Sequence, residues 1–235
     1  MTQTILAIAN AMQAEAESLR VISQNIANAQ NTAYRREIAL NRVAFEDLSG
    51  AGKVSNPQSV VDLRPGTLRS TGGVFDVAIE GPGFFVVQGQ GGELLTRRGD
   101  FHLDAEGQLV TRQGAVVLGT KGPIRIDTGT TPAIDTDGSV RVGDNVVDTL
   151  RVQEVSDKSS LHPAGEDAYI TNEQTPPVES SSSRVRQGFL ETSNVQPVNE
   201  MVELMDTMRR FEAAQHFVRG YDGMVDEAIK TLGKI

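Results

Sequence analysis

Phe75-Asp76-Val77-Ala78-Ile79-Glu80-Gly81-Pro82-Gly83-Phe84-Phe85-Val86-Val87 decides how the middle of this chain folds. Two apolar stretches, Val74 to Ile79 and Phe84 to Val87, flank the turn formers Glu80-Gly81-Pro82-Gly83, so the segment reads as strand, turn, strand. The same pattern continues outward. Leu94 to Leu103 has strand character interrupted at Gly99, and Asp104-Ala105-Glu106-Gly107 turns the chain into Gln108 to Thr111 and Val116 to Leu118. Asp137-Gly138, between Ile134 and Val140, is a further hairpin signal. No helical period of comparable quality runs through residues 67–173, which predicts an all-β middle.

The two ends differ in kind. Ile5, Ile8, Met12, Glu15, Leu19, Ile22 and Ile26 step by 3 and 4, the spacing of a coiled-coil seam, in an alanine-rich context that favours helix. Asn28 to Thr32 supplies a stop. At the other end Met201, Leu204, Met208, Phe211, Gln215, Val218, Asp222, Val225, Ile229 and Leu232 repeat that spacing. Ser193 or Asn194 is placed to cap this second helix, and Pro197 falls where a first turn tolerates it. A helix from Val198 to Leu232 would be on the order of 50 Å long. Ser49 to Pro65 and Thr175 to Arg186, rich in Pro, Gly or Ser, read as linkers. The expected fold is α+β and mainly β: a central all-β domain inserted between long N- and C-terminal coiled-coil-forming helices.

Composition narrows the function. The chain has 235 residues, of which 38% are hydrophobic, 5% aromatic and 23% charged, with 23 Gly and no Trp. A net charge of -9 without a basic run argues against nucleic acid as partner, because phosphates are met by clustered Lys and Arg. Cysteine is absent, so disulfides and thiolate metal sites are excluded. The first 20 residues, MTQTILAIANAMQAEAESLR, have no cation before Arg20 and do not read as a cleaved leader. No run of about 18 apolar residues exists to insert in a membrane.

Catalytic patterns are not found. His102, His162 and His216 are scattered, which predicts ordinary packing or surface roles and no metal. Gly114 to Lys121 resembles a phosphate loop, but its Lys comes one place late and no Ser or Thr follows. Asp135-Thr136-Asp137-Gly138 lacks the closing Glu of a calcium loop and fits a hairpin turn. No enzyme activity and no cofactor are expected.

Ser23-Gln24-Asn25-Ile26-Ala27-Asn28, followed by Thr32 and Tyr34, resembles the N-terminal signature of the flagellar rod and hook family, Ser-Asn-Asn-Leu-Ala-Asn and then Thr-x-Gly-Phe; Gln24, Ala33 and Tyr34 depart from it. The opening stretch, with Asp76, Gly81, Gly83 and Phe84, is similar to the family's Leu-Asp-Val-Ala-Ile-x-Gly-x-Gly-Phe-Phe block. Thr96 to Phe101 is similar to its Tyr-Thr-Arg-x-Gly-x-Phe segment. Gly188 to Glu191, Ser193-Asn194-Val195, Pro197-Val198 and Glu200-Met201-Val202 resemble its C-terminal start. Arg209-Arg210-Phe211-Glu212 points, within the family, to a proximal rod subunit over a distal one.

The resemblance implies a structural subunit that assembles with copies of itself and other rod proteins into a helical, torque-transmitting shaft across the periplasm. It also implies passage through the flagellar type III export apparatus without signal cleavage. Residues 1–33 would be the N-terminal helix of the inner rod layer, 34–66 an extended linker, 67–186 the β domain, and 187–235 a C-terminal helix pairing with the first. The self-assembly seam would consist of the apolar residues of the two periodic series. The alternatives are a distal rod subunit of the same family, an adhesive or carbohydrate-binding β module, which needs exposed aromatic platforms, and a hydrolase, which needs a converging acid and base.

Overall fold

A computed structural model describes residues 2–40, 58–127, 129–156, 160–165, 168–171, 176–180 and 182–232. Helix α1 spans Thr2–Ala27 and α2 spans Pro197–Leu232. Between them run β1 (Glu37–Leu40), β2 (Gln58–Val61), β3 (Leu68–Ser70), β4 (Val77–Glu80), β5 (Phe84–Gly89), β6 (Gly92–Thr96), β7 (His102–Leu103), β8 (Leu109–Val110) and β9 (Val116–Val117). They are followed by β10 (Pro132–Ile134), β11 (Ser139–Val142), β12 (Asn145–Thr149), β13 (Val152–Glu154), β14 (Leu161–Pro163), β15 (Ala168–Thr171), β16 (Val178–Glu179), β17 (Arg184–Gln187) and β18 (Phe189–Glu191). The chain divides into two compact units. One holds residues 1–29, 36–62 and 195–235, and the other holds 30–35 and 63–194.

The β unit is built on an antiparallel sheet in the order β14-β15-β6-β5-β9-β8-β7, with β13 pairing both β5 and β16. Its centre is the unbroken apolar run Phe84 to Val87, buried on both faces. Phe85 and Val87 enter the core with Val77, Phe101, Leu109, Val117 and Ile124, where Phe85 meets Phe101 edge to face at 5.2 Å. On the opposite face Phe84 packs edge to face on Tyr169 at 5.8 Å.

The strands on either side of Gly81-Pro82-Gly83 form as expected, but not as a hairpin with each other. β4 pairs with β17, and β5 pairs with β6, β9 and β13. The turn carries φ of 117° at Gly81 and 119° at Gly83, values that side chains with a Cβ avoid. This backbone separates the two strands instead of folding them back. Gly99 marks a close approach: a Cβ there would sit 1.6 Å from the Val77 carbonyl oxygen. The Asp137-Gly138 turn joins β10 to β11 as read, in a three-stranded sheet completed by β12. β16 and all but the last residue of β17 fall within the stretch 175–186 that reads as a linker, and β1 and β2 fall within 34–66. Residues 49–57 of the other linker lie outside the described residues.

In the helical unit α1 and α2 pack on each other, with the two-stranded β1–β2 ribbon against α1. The expectation of coiled-coil-forming helices is corrected here. The most buried line of α1 is Ser18, Val21, Ile22 and Asn25, and that of α2 contains Glu200 and Thr207. A coiled coil needs continuous apolar residues along this line. Two of the apolar positions assigned to it, Met201 and Met208, are instead 50% and 46% exposed. The buried line of α2 runs through Glu200, Leu204, Thr207, Phe211 and Ala214, so part of the face is turned by one residue, about 100°. The polar groups on the α1 line are satisfied locally: Ser18 donates to the Ala14 carbonyl at 3.1 Å, and Asn25 bonds to the ribbon. Asn25 donates from Nδ2 to the Glu37 carbonyl at 2.8 Å and accepts from the Glu37 N–H at 2.9 Å.

Candidate assembly interface

Near its C-terminal end α1 places Asn25, wholly buried, against the first turn of α2. Asn25 Nδ2 donates at 3.1 Å to Oε2 of Glu200, a carboxylate 1% exposed at residue level. Arg36, just before β1, donates from Nε to Glu200 Oε1 at 2.5 Å and from Nη2 to Glu203 Oε2 at 2.8 Å. Glu200 also lies where the helix N-terminal dipole favours negative charge. One carboxylate therefore ties α1, the strand lead-in and α2 together.

Nearly three turns beyond Glu200, Arg210 clamps Glu15 at 2.9 and 3.3 Å and donates to Thr207 Oγ1 at 2.9 Å. The bond to Glu15 holds the Arg210 guanidinium above its ordinary range. Because Arg210 is largely exposed, this pair orients the helices more than it stabilises them.

The start of α2 differs in detail from expectation. Pro197 is its first residue, so Gln196, and not Ser193 or Asn194, directly precedes the helix. The Gln196 carbonyl accepts the Glu200 N–H at 3.1 Å, and the Asn194 side chain donates to the Arg64 carbonyl at 2.9 Å.

A second buried charge cluster lies within the β unit. Arg35 Nη2 donates to Glu191 Oε1 at 2.7 Å, and both side chains are almost fully buried. Arg97 Nη1 lies 3.6 Å from Glu191 Oε2, while its guanidinium donates to the carbonyls of Ile79 at 3.2 Å and Gly81 at 2.6 Å. Burial lowers the Arg97 pKa to about 10, opposed by Glu191 and abetted by Arg35. Glu191 Oε1 further accepts the Gly66 N–H at 2.8 Å, and its carbonyl accepts the Ala33 N–H at 2.8 Å.

The assigned seam residues are distributed unevenly. Ile22 is buried; Ile8, Met12, Leu19, Ile26, Leu204, Phe211 and Val218 are half-buried. The side chains of Ile5, Val225, Ile229 and Leu232 lie outside the described residues. Of the motif residues, Ser23 and Ala27 are exposed, and Asn28 closes α1 through its side chain on the Gln24 carbonyl at 2.9 Å. Asp76 accepts the Thr71 hydroxyl at 2.5 Å.

Sequence reasoning missed the ionic roles of Arg35, Arg36, Arg97, Glu191 and Glu200, because a lone charged residue reads as solvated surface. The available signal was Glu200 itself, seven residues before Thr207 on one helical line. α2 also carries an outward apolar stripe: Val198, Met201, Val202, Met205 and Met208 are all exposed. Among the described residues no group of three His, Cys, Asp or Glu side chains gathers as a metal site. No helix among them is long and apolar enough to cross a membrane. A cleft of about 180 Å³ on the β unit is lined by Val87, Leu94, Arg98, Gln113 and Ala168, and no acid–base pair is set up in it. This geometry is suited to holding helices and strands in register.

Comparison with known proteins agrees. Residues 78–142 match the family model described as "Flagellar hook protein FlgE/F/G D1 domain", and residues 186–231 match "Flagellar basal body rod FlgEFG protein C-terminal". The chain is 34% identical over 226 residues to the flagellar basal-body rod protein FlgF of Caulobacter vibrioides, covering 92% of each chain. It is 32% identical over 242 residues to FlgF of Mesorhizobium japonicum, covering 99% of each. Flagellar basal-body rod protein FlgG of Bacillus subtilis is 27% identical, with 90% of this chain and 92% of the relative covered.

Proposed function

The chain belongs to the flagellar basal-body rod and hook protein family, and we propose that it is a structural subunit of the rod, of the proximal, FlgF type. The observation that carries this reading is the extent of the likeness: 92% to 99% of both chains align with FlgF proteins, so the helical ends and the β middle are matched together. The subunit assembles with other rod components into the shaft that passes torque from motor to hook. It works by contact, without catalysis and without a cofactor. It stands in the periplasmic part of the basal body, reached through the flagellar export apparatus.

Its terminal helices meet neighbouring copies through apolar side chains not used within the monomer. Met201 and Met208, assigned to the seam and exposed in the single chain, are of this kind. Open helical assemblies need contacts between different patches of successive copies, and outward stripes can provide them. A distal, FlgG-type position is the second reading, favoured by the similarity to the Bacillus subtilis protein. Deleting the gene tests both. Non-motile cells whose rods stop short are expected, and the stopping point separates proximal from distal. Intact basal bodies in swimming cells would exclude a rod role.

A further inference from the structure

Sulfur chemistry in this chain rests on methionine alone, since it has six Met and no Cys. Four of the six lie on α2, and all four are exposed: Met201 50%, Met205 53%, Met208 46% and Met224 72%. Met201, Met205 and Met208 follow the i, i+4, i+7 spacing of one helix face, which Val198 and Val202 complete. The α2 line turned inward, Glu200, Leu204, Thr207, Phe211 and Ala214, contains no sulfur. Met12 on α1 is half-buried and serves as an internal reference.

We propose that Met201, Met205 and Met208 form a peroxide-oxidation site, whose conversion to sulfoxides closes the outward face of α2 to further copies of the chain. The consequence for assembly rests on the rod-subunit reading; the chemical selectivity does not. The sulfur lone pair attacks a peroxide oxygen, the O–O bond breaks and an S–O bond forms. The thioether gives up two electrons, and the peroxide is reduced to water by taking up the departing proton. A flexible apolar side chain becomes a polar one. In the single chain this group remains hydrated. Covered by a neighbouring helix it must lose water without a matched donor, which is unfavourable. Because no sulfur lies on the inward line, the packing of α1 on α2 is left intact.

The experiment treats the purified full chain with limiting hydrogen peroxide. It follows peptide masses, helix content by circular dichroism, and self-association by sedimentation at rising concentration. Met201, Met205 and Met208 are expected to gain an oxygen atom several-fold faster than Met12. The oxidised chain should keep its helix content and lose association. A variant carrying Met201→Leu, Met205→Leu and Met208→Leu together should still associate after peroxide. Equal oxidation of Met12 would overturn the site. Unimpaired association of the oxidised native chain, or peroxide sensitivity in the leucine variant, would overturn its effect. A native chain that fails to associate before treatment counts against the rod reading and removes the assembly consequence. The peptide masses then decide the site by themselves.

Discussion

Ala33 adopts φ 57°, the one non-glycine among the described residues with a positive φ, at a position where the resembled signature carries Gly. The left-handed conformation costs an L residue roughly 1–2 kcal/mol. The site retains it because the Ala33 N–H donates to the Glu191 carbonyl at 2.8 Å and the methyl is buried, 2% exposed. Ala33→Gly relieves strain but gives up a buried methyl of about 0.8 kcal/mol and adds freedom to the unfolded chain, so its urea midpoint should move little. Ala33→Val adds branching where φ is positive and should lower stability by about 2 kcal/mol. Equal midpoints for the two variants would show that the turn is unstrained. The Glu191 side chain gives a larger effect. Glu191→Gln leaves Arg35 and Arg97 buried beside a neutral group, and breaking a buried pair costs about 3–5 kcal/mol. Urea unfolding that shifts by under about 1 kcal/mol would mean water already compensates these guanidiniums.

At the scale of elements, the β10–β11 hairpin shows how a turn couples to pH. The Ser139 N–H and hydroxyl each donate to the Asp137 carboxylate at 2.9 Å. These bonds, the backbone one foremost, hold its pKa below the ordinary 3.8. A carboxylate with a depressed folded pKa contributes stability above the unfolded value and loses it as pH falls through the folded value. Asp137→Ala should therefore unfold at a lower temperature than the native chain near neutrality, with the gap closing once pH drops below 3.8. A gap that persists in acid would assign the effect to the Asp backbone preference instead of its charge. Asp137-Gly138 was legible in the sequence because a short hairpin loop with Gly at its left-handed position, φ 87° here, carries its own signal. The β4–β17 pairing was not, since it joins segments about a hundred residues apart and no local residue announces it. Helix α2 was legible as a helix but not in its packed face. Leu204 and Phe211 lie near Met201 and Met208 around the axis, so its apolar surface is broader than one seam. Spacing alone gives no means of choosing which edge turns inward.

For the whole molecule, the separation into a helical unit and a β unit predicts which changes stay local. The β core around Phe85, Phe101 and Val117 is built from residues of the β unit only. Ile22→Asp and Leu204→Asp place a carboxylate in the packing of α1 and α2, where desolvation is unfavourable. They should reduce helix content and motility together. Met208→Asp puts the same charge on the outward stripe, 46% exposed, and should leave helix content unchanged while still blocking rod assembly. In all three, the strand signal in circular dichroism and the cooperative unfolding of the β unit should match the native chain. Complementation of a gene-deleted strain by each variant, read as swimming and rod length, supplies the assembly measurement. Swimming restored by Met208→Asp would remove the outward stripe from the assembly contact. Full helix content in Leu204→Asp would mean that α2 does not rely on α1 for its folding. A pattern in which the inward substitutions lose both readouts and the outward one loses only assembly would assign the inner line to folding and the outer stripe to the neighbouring subunit.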